Sequence, residues 1–349
     1  GILEQIDVLS HFANHTYVVD SKIKKAKNLE DLKDSSKDLI NIISSLHAKG
    51  VKVNHISNLI GQLNTKVYQK LYELILPKEL RNDACFIVMG SEGRNEQIIK
   101  TDQDNALVIK DGIEVEQYKF YMNEITKNLI DFGYPICEGN IMVSNPFWCK
   151  TVNEYKNETA RWIEAPGIQN YMDLAIFFDS FAVAGNKELL INLKDNLFNK
   201  LHDKDVFMAY FAKATLAFDT PNTVTNIMTK SHIIDIKKTA VFPIVQGIRS
   251  LALKEKIRET TTIKRIKILE NRKVLEKDKA AELLEAFDFV NTIRLKSQLF
   301  DIQHGKKITN EIDTHTLGKI ERDLLKDSFK IINEFKRFIS YTFRIDRIS

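Results

Sequence analysis

The chain has 349 residues, enough for two or three domains, and its 44% hydrophobic and 28% charged content fits a globular protein with sizeable cores. A formal net charge of +4, with Lys and Arg interleaved among Asp and Glu, gives no basis for nucleic-acid binding by charge. No apolar run reaches the roughly 18–20 residues of a membrane span, and no signal peptide heads the sequence.

Residues 1–76 read as helical throughout, and Gly1, with no Met before it, reads as an excised or processed start. Leu39, Ile40, Ile43 and Leu46 share one face, and Lys49-Gly50 closes that helix with a cation and a residue free to take positive φ. Ile56, Leu59, Ile60, Leu63, Val67, Leu71, Leu74 and Ile75 mark a longer amphipathic helix that Pro77 stops. From 83 to about 145 the period shortens. Apolar runs at 85–89, 106–109 and 141–143 predict strands, separated by a Gly-Ser turn and by a helix over Val115–Asp131 that carries Tyr118, Met122, Ile125 and Leu129 on one face.

After Pro166 helices return, over Tyr171–Phe181, Leu189–Leu201, Val206–Phe218, Ala240–Leu253, 278–303 and 317–343. Polar breaks near 220–232, 256–262 and 304–316 separate them. The acid-base alternation at 254–278 and Lys237-Lys238 read as exposed surface, and Thr260-Thr261-Thr262 as a helix start. The expected fold class is α+β. A small mixed β-sheet domain, 77–185, is flanked by an N-terminal helical segment, 1–76, and a C-terminal helical bundle, 186–349. Cys85, Cys137 and Cys149 are widely spaced and odd in number, which speaks for a reduced, cytoplasmic setting over a disulfide framework or zinc knuckle.

The chemistry concentrates at 90–105, Gly-Ser-Glu-Gly-Arg-Asn-Glu-Gln-Ile-Ile-Lys-Thr-Asp-Gln-Asp-Asn. Gly90 lets backbone approach a phosphate closely, and Ser91 can donate a hydroxyl to it. A helix over Glu92–Ile99 would add its N-terminal amides, and Arg94 a forked guanidinium. Asp102 and Asp104, one residue apart at a strand, point to the same face about 7 Å apart at the backbone, where they can hold Mg²⁺. An EF-hand fails, because Ala106 and Leu107 fall where an oxygen ligand and Gly belong. A Walker loop fails for want of Gly-Lys-Ser/Thr. Taken singly, a Gly-Ser turn and an Asp-x-Asp are common. Strand, Gly-Ser, ten residues, Asp-x-Asp, strand is not, and together they read as a nucleotidyl-transfer site.

That conjunction resembles the nucleotidyltransferase superfamily of DNA polymerase β. More narrowly, Gly90–Gln97 with Thr101–Ala106 is similar to the DUF294 group, which is related to the PII-protein uridylyltransferases. The resemblance continues through Gly133-Tyr134-Pro135, Met142–Pro146, Ile176–Asp179, Phe242–Val245 and Gly247–Leu253. It implies Asp102 and Asp104 as catalytic metal ligands for Mg²⁺ or Mn²⁺, with Gly90, Ser91 and Arg94 on the phosphates of a nucleoside triphosphate. Glu96 is expected to give structural support ahead of direct ligation, either orienting Arg94 or capping the short helix. It also implies an acceptor, a regulatory protein or a small molecule, and upstream CBS or cyclic-nucleotide-binding domains that this sequence does not show. Active members usually place a third carboxylate near the attacking hydroxyl. None lies in 141–143, so Glu138 and Asp179 are the candidates, each equally readable as a solvated turn acid or a helix-terminus residue. A non-catalytic nucleotide sensor stays open as the alternative.

Other residues carry weaker signals. His11 and His15 stand one helical turn apart, with no third ligand in view. Asn145 reads as a strand exit or a nucleotide contact. Arg249, on a mostly apolar helix, reads as a buried structural pair or as a contact to an acidic substrate. Trp148, Trp162 and Phe147 read as packing side chains.

Overall fold

The structure is a computed structural model that describes residues 16–165, 167–221 and 232–348. In chain order, α1 (Leu29–Lys37), α2 (Leu39–Ala48) and α3 (Val53–Ile75) precede β1 (Ala84–Val88) and β2 (Asn105–Ile109). Then come α4 (Glu116–Asp131), β3 (Cys149–Thr151), α5 (Val152–Glu164), α6 (Ile168–Phe178), β4 (Phe181–Gly185) and α7 (Glu188–Lys200). The remainder is α8 (Asp205–Lys213), β5 (Ile233–Asp235), α9 (Phe242–Lys254), α10 (Thr262–Asn271), α11 (Lys277–Gln303), β6 (Glu311–Asp313) and α12 (Lys319–Phe343). No described helix is long and apolar enough to cross a membrane.

The fold is α+β and divides into two compact units. The first takes residues 1–159 and 179–196, the second 160–178 and 197–349. The helices of 1–76, expected as a separate segment, thus share a unit with the sheet.

In the first unit a mixed sheet runs in the order β3-β2-β1-β4. β1 is antiparallel to β2 and β4, and β2 is parallel to β3. Every residue of β1 and β2 is buried, which is why these central strands read as unbroken apolar runs. The expected face of α4 is buried as read: Tyr118, Met122, Ile125 and Leu129. Long α3 packs on β4 and α4. Its buried face holds Ile56, Ile60, Leu63, Val67 and Leu71, and also the polar Asn64, Tyr68 and Tyr72. Leu76, before Pro77, is extended, as the proline ring demands of its predecessor. Gly50, at φ 72, closes α2.

Three expectations about this unit change. Residues 141–143 are not a strand. The backbone turns at Asn140, φ 53, and Ile141 O and Val143 N hydrogen-bond to Asn105 outside any ladder. The third strand is instead Cys149–Thr151, and a fourth, Phe181–Gly185, starts on the last residue of the helix expected over Tyr171–Phe181. Finally, 92–99 is not helical: a single turn, Gly90–Gly93, gives way to a bend, because Asn95 takes φ 61.

In the second unit α9 is buried from Pro243 through Leu253, a central helix that takes the polar Gln246, Arg249 and Ser250 in with its apolar residues. α11 and α12 pack together. Leu325, Phe329, Ile332, Phe335, Ile339 and Phe343 form the buried stripe of α12. A two-stranded antiparallel sheet, β5 with β6, was not anticipated, and β6 sits inside the expected break at 304–316. The 254–278 stretch is not wholly surface. It contains α10, and Arg265 there is 1% exposed, its guanidinium 4.7 Å from the Phe178 ring centroid.

Candidate functional site

β1 ends at Val88, and the chain enters its turn through an extended Met89 whose N–H donates to Asp104 O at 2.7 Å. That bond binds the start of the turn to the acid-bearing segment. Gly90 follows at φ 55, a left-handed conformation, and a Cβ there would lie 2.2 Å from Asp104 Oδ2. Only glycine lets the Asp104 carboxylate reach the turn. Gly93 has a different reason: its Cβ would fall 2.2 Å from Asp179 O and 2.8 Å from Val88 O, both backbone atoms. Ser91 is half-buried, and its carbonyl accepts from Glu96 N at 2.8 Å.

Asp102 and Asp104 lie just before β2 and are half-buried, while the alternate residues Gln103 and Asn105 are fully buried. This two-residue alternation is that of extended chain, and the inward pair anchors the outward pair. Gln103 Nε2 donates to Tyr134 O at 3.3 Å, Asn105 Nδ2 to Gln103 Oε1 at 3.3 Å, and Val143 N to Asn105 Oδ1 at 2.8 Å. Asp102 Oδ1 accepts from Gln97 Nε2 at 3.1 Å and Thr101 Oγ1 at 3.4 Å. Cys137 Sγ donates to Asp104 Oδ1 at 3.1 Å. Burial, together with the Asp104 charge, pushes the Cys137 thiol up to about 12.

Arg94 does not present an open fork. Its Nε donates to Glu96 Oε2 at 2.7 Å and its Nη1 to Asp179 Oδ2 at 2.8 Å. The side chain is 10% exposed and that of Asp179 0%. Burial opposes the guanidinium charge, and the two carboxylates more than offset it, raising its pKa. Glu96 supports Arg94 as expected. Arg94 itself braces the turn against the chain entering β4.

Glu92 escaped the sequence reading. It stands third in the Gly90–Gly93 turn, where an acid reads as a solvated cap, yet it is 9% exposed. Tyr68 of α3 donates to its Oε2 at 2.5 Å, and Oε1 is buried with no hydrogen-bond partner. Burial pushes the carboxyl up to about 8; the Tyr68 bond opposes the rise, and the Asp102 and Asp104 charges add to it. The only sequence signal for this pairing is a tyrosine among the aliphatic residues of the α3 face. Tyr134 OH donates to Asn64 Oδ1 at 2.8 Å one turn away, so α3 forms a polar wall behind the site.

Of the two candidate third acids, Asp179 is engaged by Arg94 and Glu138 is exposed. Among the described residues no three His, Cys, Asp or Glu side chains gather closely enough to hold a metal ion.

Residues 37–169 match the family model described as "Putative nucleotidyltransferase DUF294", and residues 205–343 match "Putative nucleotidyltransferase substrate binding domain". The chain belongs to the DUF294 family. Comparison with curated proteins returned no match. In this DUF294 protein the first match opens at the end of α1, so it takes in α2 and α3 as well as the sheet.

The other candidates fall outside the turn. Asn145 caps a short 3₁₀ helix, accepting from Phe147 N at 3.0 Å and donating to Asn140 O at 2.9 Å. Those local bonds fix the loop and account for its side chain. Arg249, in the second unit, is 6% exposed and donates to Gln246 Oε1, whose amide donates to Phe211 O at 2.9 Å. Trp148 and Trp162 are buried. His11 and His15 lie outside the described residues.

Proposed function

We propose that this DUF294 protein is a Mg²⁺- or Mn²⁺-dependent nucleotidyltransferase that moves a nucleoside monophosphate from a nucleoside triphosphate to an acceptor hydroxyl. The observation that carries this reading is Asp104 Oδ2 set against the backbone of Gly90, which puts an acidic oxygen and a phosphate-compatible turn at one point. Asp102 and Asp104 would hold the ion. They are hard oxygen donors, two carboxylates one residue apart, and suit a divalent cation. When bound, the ion would supply charge neutralisation at phosphorus. Gly90 and Ser91 would hold the phosphates. Arg94, engaged by Glu96 and Asp179, keeps the turn in place. In the reaction the acceptor oxygen forms a bond to the α-phosphorus, the bond to the β-phosphate oxygen breaks, pyrophosphate leaves and the hydroxyl proton passes to solvent or a base.

The acceptor is read as a hydroxyl of a regulatory protein, in a uridylyltransferase-like role in cytoplasmic signalling, with a small-molecule acceptor as the variant. A second reading is a nucleotide sensor without turnover. What favours it is the absence, among the described residues, of a third acid gathered with Asp102 and Asp104.

The test is incubation with each labelled nucleoside triphosphate, Mg²⁺ and a lysate of the source cell, comparing wild type with Asp102→Asn/Asp104→Asn. Label transfer or pyrophosphate release that the double variant abolishes is expected. Equal behaviour of the two proteins with all four nucleotides would overturn the catalytic reading, and nucleotide binding without pyrophosphate release would establish the sensor.

A further inference from the structure

The two oxygens of Asp104 have different surroundings. Oδ2 occupies the space beside Gly90 that a Cβ would need, and Oδ1 faces Cys137 Sγ at 3.1 Å. Cys137 is 8% exposed. Its carbonyl accepts from Asn140 N at 2.9 Å, which closes a tight turn on the cysteine's own backbone. Asn105 N donates to Ile141 O at 3.0 Å, so the same tight turn is fastened to the first residue of β2. The backbone that carries the sulfur is therefore fixed at both ends of its turn, and the sulfur faces one oxygen of one acid.

A carboxylate is free to rotate about its Cβ–Cγ bond unless something fixes an oxygen. We propose that Cys137 is a positioning residue for Asp104, its S–H holding Oδ1 so that Oδ2 is presented at the Gly90–Ser91 turn to a divalent cation. The inference rests on the reading of Asp102 and Asp104 as metal ligands. Donors that orient a ligand in this way are typically worth about 10–100-fold in metal affinity. A thiol is a weak donor, which puts the expected effect near the lower end, about tenfold.

A donor role and a packing role separate cleanly by substitution. Cys137→Ser keeps an O–H toward Oδ1 with a smaller volume, while Cys137→Val keeps bulk and removes the donor. Cys137→Ala removes both. Binding of Mn²⁺ without nucleotide, followed by the electron paramagnetic resonance of the free ion, reads the effect apart from turnover, and a thermal melt of each variant reads folding. Wild type and Cys137→Ser are expected to bind alike, Cys137→Ala and Cys137→Val about tenfold more weakly, and Asp104→Asn weakest of all. Unchanged binding in folded Cys137→Val or Cys137→Ala sinks the inference alone, provided Asp104→Asn loses the ion. Cys137→Ser as weak as Cys137→Ala, or failure of both donor-less variants to fold, assigns the cysteine to packing. A wild-type protein that binds no Mn²⁺ removes the metal reading of the two acids and this inference together.

Discussion

The Arg94 guanidinium is enclosed by Glu96 and Asp179, and a buried charge that loses one partner is left uncompensated. Asp179→Asn is expected to cost about 3–5 kcal/mol in urea unfolding, and Arg94→Lys a comparable part of it, because an ammonium cannot make the forked pair. A phosphate-binding Arg94 would behave in the opposite way: Arg94→Lys would raise the KM for nucleotide at unchanged stability. Glu92 carries a pH signature. In the folded chain its carboxyl holds a proton up to about 8, whereas unfolded it releases it in the ordinary carboxylate range. Between those values the folded state binds a proton that the unfolded state lacks, so this group makes stability fall as pH rises through that window and stay level outside it. Glu92→Gln still accepts from Tyr68 but cannot ionise. Its urea midpoint is expected to exceed that of wild type by more at pH 8 than at pH 5, and an equal difference at both would remove the assignment.

At the scale of elements, the two glycines of the turn are expected to fail differently. A Cβ at Gly90 meets the end of the Asp104 side chain, which can swing away at the cost of its place beside the turn. A Cβ at Gly93 meets the backbone of Asp179 and Val88, which cannot move without shifting strands. Gly90→Ala should therefore lose any nucleotidyl-transfer activity and Mn²⁺ binding while losing only about 1 kcal/mol for its left-handed φ. Gly93→Ala should lose several times more stability, about 2–4 kcal/mol, by strain at a packed contact. Paired activity assays and chemical denaturation distinguish the two. The same contrast explains what the sequence made legible. Gly90, Asp102 and Asp104 could be named because phosphate and metal chemistry depends on residue type and short spacing. The burial of Arg94 and the pairing of Glu92 could not, since their partners, Asp179 and Tyr68, are 85 and 24 positions away. Strands followed the same rule. β1 and β2 are buried on both faces and announce themselves, whereas β4, Phe181–Gly185, has exposed and half-buried positions and follows directly on the apolar helix α6. Residues 141–143 mimic a strand because Met142 and Val143 are buried, though they pack as a loop beside Asn105.

Over the whole molecule, the second compact unit is discontinuous: it takes residues 160–178 as well as 197–349. Its first piece includes α6, where Tyr171 lies 5.6 Å from Phe207 and stacks on Tyr210 at 6.3 Å between ring centroids, and where Phe178 meets Phe198 at 6.0 Å. A fragment of residues 197–349, although it contains the whole 205–343 family match, lacks those aromatic partners. It is expected to melt at a lower temperature and less cooperatively than the same unit in the full chain, as followed by circular dichroism, and a fragment that matches the full chain would show α6 to be dispensable. Sequence reading places a domain border at 185–186, whereas the compact units divide at 159–160, 178–179 and 196–197. The actual division depends on which apolar faces meet, and composition does not encode that.

The place of β4 in the sheet has a consequence for synthesis. β1 lies between β2 and β4, and β2 and β3 both precede α6 in the chain while β4 follows it. As the polypeptide leaves the ribosome, β1 can pair with β2 early, but its other edge stays open until residue 185 emerges. Through that interval the nascent chain carries an unpaired apolar strand edge together with Asp179's future partner, Arg94, still without its second carboxylate. Translation of the stretch from α5 to β4 thus leaves this strand edge open to misassociation, an edge a chaperone would protect.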